Sequence, residues 1–131
     1  VAMYRNFYRV LKPGGRCVMF EVHPMNRPFD DSTDEIRIKK TYDDIILPGD
    51  PENYHWRDKD LANAMLAGGF RIDRVEEFYT EARSLLSLWW YQTAAEAEAD
   101  GYKKLDWKRN PLAALPQWIG FSARKERTPL Q

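Results

Sequence analysis

The stretch "YRVLKPGGRCVMFEVHP", Tyr8 to Pro24, decides how the chain is read. Its first part closes a helix: Met3, Phe7, Val10 and Leu11 recur at helical spacing and define an apolar face. Arg9 and Lys12 fall in the last turn, where cations suit the negative end of the helix dipole. Pro13 cannot continue the helix, and Gly14-Gly15 can take the positive φ of a sharp reversal. Next comes Cys17-Val18-Met19-Phe20, bounded by Arg16 and Glu21. A short continuous apolar run after a helix and a turn predicts a strand covered on both faces, as in a parallel sheet. In open α/β sheets, ligands bind beyond the carboxyl ends of the strands, and Glu21, Val22 and His23 occupy that end here.

Downstream, residues 24–55 hold four prolines and several aspartates and read mainly as loop; "EIRIKKTYDDIIL" (35–47) alternates enough for a short strand or hairpin. From Asp58 a second helix is expected. Asp58 or Asp60 would cap it, Leu61, Met65 and Leu66 would form its apolar face, and Gly68-Gly69 would end it. Phe70, Ile72, Val75 and Phe78 then give a strand whose alternation slips between Ile72 and Val75, the mark of a bulge. "EARSLLSLWWYQTAAEAEADG" (81–101) reads as one long helix stopping at Gly101, with a dense apolar cluster from Leu85 to Tyr91 that is core rather than pocket. "QWIGFSARK" (117–125) is a last strand with Ile119, Phe121 and Ala123 on one face and Trp118 on the other.

Composition narrows the function classes. The chain has 131 residues, so one domain or part of one is expected. Twenty basic residues balance twenty acidic ones, which argues against a general nucleic-acid or anionic-lipid binder. One cysteine allows no internal disulfide and fits a reducing, cytoplasmic setting. No apolar run reaches the ~20 residues of a membrane span. The glycines form neither GxGxxG nor a phosphate loop, two histidines and one cysteine cannot build the known zinc spacings, and no serine sits in G-x-S-x-G. No catalytic residue can be assigned, and no metal is expected.

Three segments in order carry a family resemblance: "YRVLKPGGRCVMFEVHP", "YHWRDKDLANAMLAGGFRIDRVEEF" (54–78) and "LPQWIGFSARK" (115–125). Together they resemble the C-terminal half of class I S-adenosylmethionine-dependent methyltransferases, most closely the small-molecule branch of the ubiquinone and menaquinone biosynthesis type. The resemblance implies an α/β, Rossmann-like sheet of three strands. The first two would be parallel, with the last inserted between them and antiparallel to both. It also implies that residues 1–131 are a partial domain. The glycine-rich loop and acidic residue that hold S-adenosylmethionine in the family would lie upstream, so no cofactor-binding residue is carried onto this chain. Val1 in place of Met, with helix already under way, agrees with a start further upstream.

The expected parent activity is methyl transfer from S-adenosylmethionine to an O, N or C nucleophile of a small molecule, with this fragment inactive alone. The chain from Pro24 to Trp56 would fold over the strand ends as a lid, which suits a reaction that needs alignment and exclusion of water. The substrate-binding candidates are Glu21, His23, Tyr54, His55 and Trp56. Each has a plainer reading. Glu21 can accept backbone N–H bonds, His23 can brace the turn at Pro24, and the Tyr54-His55-Trp56 trio can staple the start of a helix. The resemblance adds that a Tyr-His pair recurs at this last site. Two rival classes stand beside the enzyme. One is a non-enzymatic interaction module that self-associates through an exposed sheet edge and the tryptophan cluster. The other is a different nucleotide-binding α/β enzyme, such as a dehydrogenase, which the antiparallel last strand fits less well.

Overall fold

The computed structural model describes residues 2–30, 35–44, 46–47, 50–54, 56–82 and 89–127. Helix α1 (Ala2–Val10) leads into strand β1 (Arg16–Val22). Short ladders β2 (Phe29–Asp30) with β3 (Arg37–Ile38) and β4 (Ile46–Leu47) with β5 (Asp50–Tyr54) follow. Helix α2 (Asp58–Ala67), strand β6 (Arg71–Phe78), helix α3 (Ala94–Asp100) and strand β7 (Trp118–Arg124) complete the chain.

The main sheet has the order β1-β7-β6, and β7 is antiparallel to both neighbours. The expected insertion of the last strand between two parallel ones is therefore what forms. The slip foreseen in β6 is a register shift between Ile72 and Arg74. Ile119, Phe121 and Ala123 share one face and are buried, while Trp118 lies on the other.

The LKPGG turn is held by the far end of β7. Gly14 N–H donates to the Lys125 carbonyl at 2.7 Å, and Lys125 N–H donates to the Gly15 carbonyl at 2.8 Å. Gly14 takes φ 81°, which a side chain would strain. The cation that serves the last carbonyls of α1 is Lys125, whose ammonium donates to Tyr8 O at 2.9 Å and Leu11 O at 3.0 Å. Sequence position pointed to Arg9 and Lys12 for that place, but a residue more than a hundred positions away fills it.

Four further expectations are corrected. First, α1 buries Tyr4 and packs Tyr8 and Leu11 on the core, whereas Met3, Phe7 and Val10 are exposed. The reason lies in α2. A Cβ at Gly68 would stand 2.9 Å from the Tyr4 Cβ, so the missing side chain is what lets the helices meet there. Tyr8 then stacks edge-on against Phe70, with centroids 5.3 Å apart. Second, α2 buries Leu61, Ala64 and Met65 but leaves Leu66 exposed. Third, β1 is covered on one face only. Val18 is 73% and Phe20 49% exposed, and the outer face holds an aromatic group in which Phe20 stacks on Trp118 at 5.4 Å. Fourth, the long helix over 81–101 does not form as one piece. Glu81 and Ala82 are not helical and residues 83–88 lie outside the described set. A fresh helix begins where the Thr93 hydroxyl accepts Glu96 N–H at 3.1 Å, and it stops at Gly101.

The start of α2 is capped from inside. Arg57 is the N-cap residue, and its backbone N–H donates to Asp60 Oδ2 at 3.1 Å. Its guanidinium donates to the same carboxylate at 2.8 and 3.0 Å and to Asp43 at 2.8 Å. The Tyr42 hydroxyl accepts Asp58 N–H at 2.8 Å, which ties the preceding segment to the helix. The hydrogen bond from Arg57, ahead of the opposing effect of burial, holds the Asp60 carboxyl below its usual range. Its contribution to stability is present above the unfolded value near ~4 and is lost as pH falls through the lower folded value. Asp60→Ala is expected to cost about 1 kcal/mol at neutral pH. It should also flatten the acid limb of a stability profile from urea unfolding taken down to about pH 3.

Candidate functional site

A pocket of about 420 Å³ opens at the carboxyl end of β1. Met19 and Glu21 of β1, Tyr4 of α1, Leu61 of α2, Arg27 and Trp56 contribute to its wall. Its volume lies in the range of small-molecule sites, and its wall is mainly apolar with a few polar groups, the usual pattern for such sites. The elements place these side chains for simple reasons. Alternation along β1 sends Met19 and Glu21 to the face that carries α1 and α2. The single turn Pro24–Asn26 carries the chain sideways from the strand end. Its closing bond runs from Arg27 N–H to the Pro24 carbonyl at 3.0 Å, and this places Arg27 at the pocket.

The residues expected at the site part company. Glu21 and Trp56 share the pocket, and Trp56 is 40% exposed. Glu21 Oε1 accepts Val22 N–H at 2.9 Å, a backbone bond of the kind the plainer reading expects. His23 does not line the pocket. It is 2% exposed, its Nε2 meets the Glu77 carboxylate, and its Nδ1 accepts Met25 N–H at 3.3 Å. That geometry favours the bracing reading of His23. Tyr54 ends β5, paired with Ile46. His55 lies outside the described residues.

Nothing in the sequence marks Arg27. A lone arginine in a proline-rich loop looks like a solvated charge, and no spacing signal marks it. Here its Nε is buried without a hydrogen-bond partner. Burial pulls the guanidinium's pKa down, and the Glu21 carboxylate pulls it back up. Burial likewise raises the Tyr4 phenol, helped by Cys17 and Glu21.

Among the described residues, no three His, Cys, Asp or Glu side chains gather to hold a metal, and no helix is long and apolar enough to cross a membrane. S-adenosylmethionine does not fit the described residues as its own binding cradle. The positive-φ glycines Gly14 and Gly69 stand before the amino ends of β1 and β6, away from the Glu21 end, and Gly101 closes α3.

No protein-family model matches the sequence, and no curated protein matches it. Among solved structures, the fold is similar to an S-adenosylmethionine dependent methyltransferase from Mesorhizobium loti, with a TM-score of 0.56 at 20% identity. The match covers 94% of this chain and 54% of that one, so the chain spans about half the length of that structure. At this identity the likeness speaks for the fold: a mixed α/β arrangement resembling part of a methyltransferase.

Proposed function

We propose that this chain is the C-terminal part of an S-adenosylmethionine-dependent methyltransferase that acts on a small molecule at an O, N or C nucleophile, in the branch that the sequence resembles. The observation that carries this reading is the β1-β7-β6 order with an antiparallel middle strand, combined with a pocket at the carboxyl end of β1. The match to half of a methyltransferase of known structure supports it. In this reading the chain's own residues bind and orient the substrate. Trp56, Met19 and Leu61 supply apolar surface, and Glu21 and Arg27 supply the polar contacts that set orientation. The donor methyl would be held by the upstream half of the domain.

The test has two arms. Genomic DNA upstream of Val1 should continue the reading frame into a strand followed by a glycine-rich loop. Calorimetry on the 131-residue chain should show negligible binding of S-adenosylmethionine, while the joined frame should bind it. Tight binding by the isolated chain, or an upstream frame without that strand and loop, overturns the reading.

The open edge of β1 supports a second reading, a self-associating module. The bonds from His23 N–H to Gln117 O and from Lys125 N–H to Gly15 O set the register with β7. The backbone groups of Val18 and Phe20 therefore point away from β7, on strand residues whose side chains are also exposed. Sedimentation of the chain as a monomer at all concentrations counts against this module.

A further inference from the structure

An arginine whose Nε–H is buried and unpartnered calls for an explanation, because leaving a buried donor unsatisfied costs ~1–3 kcal/mol. Arg27 lines the pocket at the end of β1, and among the described residues its wall carries one carboxylate, that of Glu21. The remaining wall includes Met3, Met19, Leu61 and Trp56, an apolar bed. We infer that the pocket takes a small apolar molecule bearing a carboxylate and a hydroxyl or amine, with the carboxylate on Arg27 and the O–H or N–H donated to Glu21. A planar guanidinium matches a carboxylate in a two-bond fork, and such charge-assisted bonds are the stronger kind. Glu21 spends one acceptor site on Val22 N–H and keeps others for a ligand donor. The same carboxylate disfavours a dianionic phosphate ester, whose second charge would face it with no second cation among the described residues of the wall. The monoanion with a donor group matches both charged side chains of the wall.

This inference deepens the methyltransferase reading by naming the substrate class, and its test contains no S-adenosylmethionine, so the two can fail separately. The ¹⁵N-labelled chain is titrated with 4-hydroxybenzoate and, in parallel, with 4-hydroxybenzamide, which keeps the shape and the hydroxyl but not the charge. The acid is expected to move the amide signals of Glu21 and Arg27 and the Trp56 indole signal, with affinity at least about tenfold above that of the amide. Arg27→Gln is expected to erase the preference for the acid, and Arg27→Lys to retain part of it. Equal affinities, no shift at these residues with either compound, or an acid preference that survives in Arg27→Gln overturns the inference. Should Arg27→Gln fail to fold, the acid-against-amide comparison on the unmodified chain decides alone.

Discussion

Replacing His23 with alanine is expected to destabilise the fold by roughly 2–4 kcal/mol, as the lost packing of a buried ring adds to polar groups left unpaired. The ring is 2% exposed and joins three parts of the structure. Its Nε2 meets Glu77 on β6, its Nδ1 takes the Met25 N–H in the turn after β1, and Asp58 of α2 stands 3.8 Å from Nδ1. Its backbone N–H extends the β1-β7 ladder to Gln117 at 2.7 Å. Truncation strands the Met25 donor and leaves the Glu77 carboxylate without the ring. It also takes the ring away from Asp58 Oδ1, which is buried and lacks a hydrogen-bond partner. Equilibrium urea unfolding of the two proteins checks this through the shift in midpoint. A loss below about 1 kcal/mol would show that the cluster is not a joint of the fold. A histidine acting as base on substrate would behave differently, leaving stability unchanged and lowering turnover in the joined enzyme.

Met65→Ala should cost about 2–5 kcal/mol. The side chain is fully buried, 0% exposed, in the cluster that α2 builds with Tyr4, Phe70, Ile119 and Phe121. Three apolar faces meet at this cluster: α1 through Tyr4, α2 through Leu61 and Met65, and the sheet through β7. Truncation removes transfer energy and leaves a cavity that rigid neighbours close only in part. Met65→Leu conserves volume and is expected to lose less than about 1.5 kcal/mol. Unfolding curves should show a lower midpoint at unchanged slope for Met65→Ala. If the alanine and leucine variants unfold together, packing at this position is not what holds α2 to the sheet.

The three strands of the main sheet and the LKPGG turn were legible because their causes are local, whereas β2 and β5 formed in a stretch that reads mainly as loop. Pro13-Gly14-Gly15 could only reverse the chain, and the broken alternation at Ile72–Val75 could only mean an extra residue in the ladder. Ile119, Phe121 and Ala123 fell on one face by the two-residue period alone. The helices were less legible. Periodicity in α1 pointed to Met3, Phe7 and Val10 beside Leu11, whereas the structure turns Tyr4 and Tyr8 to the core. The run over 81–101 did carry a local sign of a new start, Thr93 followed three residues later by Glu96, but the apolar periodicity on either side masked it.

The candidate site divides in the same way. Glu21 and Trp56 could be foreseen, one from the end of its strand and the other from its aromatic neighbours. Arg27 could not, since burial of a charge is a property of surroundings rather than of sequence. The residues alone determined that a helix, a glycine reversal and a strand come in that order, and that a partnering strand with one apolar face follows downstream. Those features follow from backbone freedom and side-chain period within a few residues. Only the tertiary structure decided which stripe of α1 is buried, that Lys125 serves the α1 carbonyls, that His23 is a joint, and that Arg27 faces Glu21's pocket. Each of these depends on contacts between segments far apart in the chain, and no local pattern encodes which distant partner will arrive.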